Sequence, residues 1–77
     1  MIEVIVREEP GGKRSVAARS SRPLRPAERR LLEDVVRAHP GRQAWDRAGV
    51  VVTGLWAHPA RKLVRDLAAA LGLELPA

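Results

Sequence analysis

"GRQAWDRAGVVVTGLWAHP", residues 41–59, decides between two folds. Val50, Val51 and Val52, followed by Leu55 and Trp56, form a short apolar run that suits a buried strand, with one helical turn at Gln43 to Ala48 before it. The competing reading is a helix-turn-helix, with Arg42 to Ala48 as first helix, Gly49 in the turn and a second helix from near Thr53 placed to enter a major groove. Two features oppose it. Three β-branched residues in succession favour extended backbone, and Pro59 would fall inside the second helix, where it costs about 3 kcal/mol. A strand is therefore expected over this run.

On either side the pattern is helical. Pro26 suits the first position of a helix, where its missing N–H would be unpaired anyway. Ala27, Leu31, Leu32, Val35 and Val36 then share one side until Pro40-Gly41, which predicts a helix over 26–38. Its outer face offers Arg29 with Glu33, Arg30 with Asp34 and Glu33 with Arg37 as ion pairs one turn apart. Downstream, Ala60, Leu63, Val64, Leu67, Ala68 and Leu71 predict a second helix over 59–71, with Gly72 as its C-terminal cap.

Upstream, "MIEVIVREEPGGKRSVAARSS" (1–21) reads as a β-hairpin turning at Pro10-Gly11-Gly12. A three-residue loop pairs Val6 with Val16 and Val4 with Ala18 on one face, with Glu8 meeting Arg14 near the turn. On the other face it pairs Ile5 with Ala17, Glu3 with Arg19 and Glu9 with Lys13. Each opposite-charge pair is worth roughly 0.2–1 kcal/mol, and three form at once. A two-residue loop at Gly11-Gly12 keeps only Glu9 with Arg14, so the first register is expected. The organisation predicted is a single small domain over 1–77: hairpin 1–20, linker 21–25 and helix-strand-helix 26–77. The fold class is α+β in the order β-β-α-β-α, a three-stranded sheet on two helices, with Trp45 and Trp56 expected in the core.

At 77 residues such a core leaves only about 3–5 kcal/mol of net stability, so function is expected on a surface. There is no Cys, which excludes disulfides and thiolate metal sites. His39 and His58 each abut a proline and lie 19 residues apart, far from the spacing of a helical metal pair. No metal or other cofactor is expected. Charges through the first twenty residues leave no apolar core for a signal peptide, and the longest uncharged run, Ala48 to Ala60, is too short to span a bilayer. A soluble cytoplasmic protein with no membrane partner is the expectation.

The net charge of +5 is unevenly placed. Residues 1–12 carry one Arg against three Glu, residues 13–30 carry seven bases against Glu28, and residues 31–77 six bases against five acids. Arg outnumbers Lys twelve to two and Phe and Tyr are absent, a bias that GC-rich coding produces whatever the function. "GGKRS" fails as a phosphate-binding loop, since position 7 is Arg7 and Arg14 follows Lys13. Ser15, Ser20, Ser21 and Thr53 have no catalytic signature around them, so no enzyme is expected.

The expected function is a small basic binding or regulatory protein that contacts nucleic acid or a nucleoprotein machine. Arg14, Arg19, Arg22, Arg25, Arg29 and Arg30 would lie on phosphates. In the pairing above only Arg22 and Arg25 lack a local acid. The alternative is an adaptor or inhibitor that takes a protein partner on an exposed sheet edge.

Overall fold

The computed structural model describes residues 1–73. The chain runs β1 (Ile2–Glu8), a tight turn at Pro10–Gly12, β2 (Arg14–Ser20), α1 (Pro26–Arg37), β3 (Arg42–Asp46), β4 (Gly49–Leu55) and α2 (Ala57–Leu71). The strands form one antiparallel sheet in the order β1-β2-β4-β3, with both helices against one face.

The first hairpin has the expected register, with Glu3 opposite Arg19, Ile5 opposite Ala17 and Val6 opposite Val16. The Glu9 N–H continues the ladder to the Lys13 carbonyl at 2.8 Å. The order β-β-α-β-α is corrected to β-β-α-β-β-α: residues 42–46 form a fourth strand, not a helical turn, and residues 42–55 pair as two strands where the competing reading places a helix-turn-helix. The cause lies in Asp46-Arg47-Ala48-Gly49, which places Asp at the first and Gly at the fourth position of a tight turn. Asp46 Oδ1 accepts the N–H groups of Ala48 (2.8 Å) and Gly49 (3.1 Å), so β3 and β4 close a second hairpin. Helix α2 begins two residues before Pro59, which sits in the first turn where no intrahelical N–H bond is lost.

Alternation along β4 turns Val50 and Val52 toward the helices. Strict alternation would then turn Leu55 outward. Instead the β2–β4 register slips by one residue between Arg14/Leu55 and Val16/Val52, with Gly54 left-handed at φ 76°. The bulge returns Leu55 to the core, where it is 1% exposed. The Glu9 carboxylate accepts the Gly54 N–H at 3.1 Å.

Leu32 and Val36 of α1 and Leu63 and Leu67 of α2 close over Val16, Ala18, Val50 and Val52. Trp45 is half-buried at the core's margin. The expectation of a second core tryptophan is corrected: Trp56 is the N-cap residue of α2 and stands 58% exposed, because the turn from β4 into α2 puts it outside both layers.

Gly49 has a positive φ of 157°, and a Cβ there would overlap the Ala18 carbonyl oxygen. Gly49→Ala is expected to lower the unfolding free energy by more than about 1 kcal/mol. Urea unfolding checks this, with the exposed linker variant Ser21→Ala unchanged as control.

Candidate polyanion-binding surface

Four of the six arginines singled out in the sequence, Arg22, Arg25, Arg29 and Arg30, lie in the linker, at the N-cap and in the first turns of α1. The linker that carries two of them is tied to the β3–β4 turn: the Ser20 N–H donates to the Ala48 carbonyl (2.8 Å) and the Leu24 N–H to the Arg47 carbonyl (2.7 Å). Arg22 donates from Nη1 and Nη2 to the two oxygens of Glu28, at 3.1 and 3.4 Å. Glu28 Oε1 also accepts the Arg25 N–H at 2.9 Å, satisfying a backbone donor at the helix entrance. Arg25 itself is the exposed N-cap residue and its side chain makes no cap hydrogen bond. The Arg29 guanidinium carbon stands 4.6 Å from the centre of the Trp45 ring. Arg30, exposed on the next part of the helix surface, borders a shallow depression of about 410 Å³ with Pro26, Ala27, Leu31 and Asp34.

The other two lie elsewhere. Arg19 is on the helix-free face of the sheet, where Nη1 reaches Asp46 Oδ2 at 2.7 Å past Gly49, which has no side chain to intervene. Arg14 is at the far end of β2, about 17 Å away at ~3.3 Å per residue. There it borders a separate groove of about 220 Å³ with Val6, Ala60, Arg61 and Val64. Beside it Lys13 Nζ lies 5.2 Å from the Trp56 ring centre. The basic stretch of the sequence thus becomes three separate surfaces: the α1 end, Arg19 on the helix-free face, and Arg14 with Lys13 at the far end of β2.

The expected charge pairing is corrected at several points. None of Glu3, Glu8 and Glu9 forms an ion pair within 4.0 Å of its facing base among the described residues. Asp46 wins Arg19 from Glu3 because its two backbone hydrogen bonds already hold it in place, so less side-chain freedom is lost. On α1 the Arg29–Glu33 pair forms at 3.7 Å, but Asp34 pairs with Arg37 (3.6 Å) rather than Arg30. Arg22, expected to lack an acid, has Glu28. Among the described residues, Arg14, Arg25 and Arg30 have no carboxylate within 4.0 Å.

Among the described residues two carboxylates are shifted. The Arg25 N–H, and after it the Arg22 guanidinium, hold Glu28 below its ordinary 4.5. The Arg19 guanidinium, and after it the Ala48 N–H, hold Asp46 below its ordinary 3.8. Across the molecule, His39 Nε2 lies 2.7 Å from Asp66 Oδ2 and joins the loop after α1 to α2. Among the described residues no group of three or more potential ligands is placed to hold a metal ion, and no helix is long and apolar enough to cross a membrane.

Compared with family models, with curated proteins and with solved structures, the chain matches none.

Because both carboxylates titrate lower when folded, their stabilisation is fully present above their ordinary values and is lost as the pH falls through the lowered ones. Urea unfolding at stepped pH should show stability declining below about pH 4.5. Glu28→Gln should make that decline shallower.

Proposed function

We propose that the chain is a small non-enzymatic binding domain that grips the phosphates of a nucleic acid with the α1 end of the molecule, through Arg22, Arg25, Arg29 and Arg30. The observation that carries this reading is Arg25 at the N-cap. An N-cap residue stabilises its helix by accepting a backbone N–H, which favours Ser, Thr, Asp or Asn. Arginine has donors only. Local stability is forgone at an exposed position flanked by three more guanidinium groups, and broken local rules of this kind concentrate at functional sites.

The arrangement suits phosphate in two further ways. Guanidinium groups bind phosphate oxygens with two parallel hydrogen bonds, and among the described residues neither Arg25 nor Arg30 has a carboxylate within 4.0 Å of its guanidinium to displace. The Arg22–Glu28 and Arg29–Glu33 pairs are solvent-exposed, so their worth is small and a phosphate competes with them readily. Arg29 stacked on Trp45 is held over a flat ring instead of sampling many rotamers. Contacts of this type supply affinity and salt dependence rather than sequence choice.

A second reading keeps a protein partner: β1 and β3 are the outer strands of the sheet, and each has one edge that no described strand covers. Salt separates the two, because strand addition rests on main-chain hydrogen bonds and has no steep ionic-strength dependence.

Arg25→Ser tests the proposal with two effects of opposite sign. The new hydroxyl supplies the missing cap acceptor and should raise stability by about 1 kcal/mol. Binding to a short DNA or RNA should weaken, and its log-log salt slope should become shallower by roughly 0.9 on duplex DNA or 0.7 on a single strand. Arg30→Ala should weaken binding in the same way, and Arg14→Ala should leave it unchanged. A parent chain without salt-dependent binding, or an Arg25→Ser variant that binds like the parent, would refute this function and leave the sheet edge as the reading to pursue.

A further inference from the structure

The helix-free face of the sheet is ruled into three rows by its register. The middle row crosses all four strands as Ile5, Ala17, Val51 and Ala44, each paired with the next. Above it lie Arg7 paired with Ser15 and Thr53 paired with Arg42, the two pairs separated by the bulge where the β2–β4 register slips; below it lie Glu3, Arg19, Gly49 and Asp46, each paired with the next. The corners of the face, on outer strands β1 and β3, are therefore two bases on one side of an apolar row and two acids on the other, of which Asp46 already holds Arg19 of its own row at 2.7 Å while Glu3 has no ion pair within 4.0 Å among the described residues. Ile5, Arg7, Ser15, Ala17, Arg19 and Val51 border a concavity of about 460 Å³ there. No aromatic side chain stands in any of the rows, so the face offers nucleic acid bases no ring to stack on.

The geometry points to a second copy of this chain as the occupant of that face. Two sheets meeting face to face about a twofold axis have two simple choices. With the axis along the strands, Arg7 would face the partner's Arg42 and Glu3 the partner's Asp46, which places like charges at all four corners. With the axis along the apolar row, Arg7 faces the partner's Glu3, Arg42 faces the partner's Asp46, and the row lies on its own copy. Charge complementarity selects the second, which is also compatible with the aligned packing of sheets. Ile5 and Val51 then meet their own copies and set the separation, while Ala17 and Ala44 leave a wet gap between those contacts.

A face four strands wide, at ~4.8 Å per strand and ~3.3 Å per residue, buries on the order of 1,000 Å² over both copies, the size of a weak, reversible association. Both helix layers remain outside. The α1 end is open in the dimer, and the inference does not depend on what that end binds.

Sedimentation velocity over a range of chain concentrations tests it. The parent protein should shift from monomer toward dimer as concentration rises. Val51→Glu, on the helix-free face, should sediment as a monomer with an unchanged circular dichroism spectrum. Arg7→Glu puts an acid against the partner's Glu3, and Glu3→Arg puts a base against the partner's Arg7, so each alone should reduce dimer formation. The double variant Arg7→Glu/Glu3→Arg exchanges the two charges and should restore it. A parent that stays monomeric at every concentration, a dimer that Val51→Glu leaves intact, or a folded double variant that fails to regain the dimer would overturn the inference.

Discussion

The pairing of β2 with β4 is the contact on which the rest of this structure depends. Val16, Ala17 and Ala18 lie opposite Val52, Val51 and Val50, and this non-local ladder makes one sheet of two local hairpins. A lone hairpin is marginal in water, and an amphipathic helix of this length needs an apolar surface to pack on. With β2 and β4 joined, Val16, Ala18, Val50 and Val52 present one continuous floor, and Leu32, Val36, Leu63 and Leu67 have somewhere to go. At Gly49 that ladder leaves no room for a Cβ. The missing side chain both admits the Ala18 carbonyl and clears the path from Arg19 to Asp46.

The same pairing places the candidate surface. Because β3 hangs on the outer edge of β4, its turn comes under the linker between β2 and α1, where the bonds to the carbonyls of Arg47 and Ala48 secure it. Arg22 and Arg25 thereby arrive beside Arg29, and Trp45 arrives beneath Arg29. Both helices begin with residues that cannot cap them through an acceptor side chain, Arg25 and Trp56. The two ends of the molecule that stray from local stability rules are also the two ends where a base meets an indole ring.

Much of this was legible in the sequence because its signals are local. The Pro10-Gly11-Gly12 turn, with opposite charges placed symmetrically about it, specified the first hairpin and its register, and the apolar periodicity of both helices located them to within two residues. β3 escaped because an exposed edge strand needs little apolar pattern: "RQAWD" has one strongly β-forming residue, Trp45, and its signature lies in the Asp46 and Gly49 of the turn beyond. Side-chain partners were the least legible. Arg19 to Asp46 and His39 to Asp66 each span 27 positions, a separation at which only the finished fold chooses among several carboxylates. For the same reason Arg22, Arg25, Arg29 and Arg30 could be grouped in advance, being neighbours on a linker and a helix. Arg14 and Arg19 could not be separated from them until an extended strand carried Arg14 to the opposite end.

The chain's two tryptophans mark the two ends of the molecule, so their indole N–H groups offer one reporter at each end of where a polyanion sits. A titration of ¹⁵N-labelled protein with a short oligonucleotide at low salt, followed by heteronuclear correlation spectra, tests the functional account most directly. The Trp45 indole and the backbone amides around Arg25 and Arg29 should shift together and saturably, with Trp56 unmoved and all shifts reversed by added salt. Movement of Trp56 with Trp45 unmoved, or no movement of either, would contradict it.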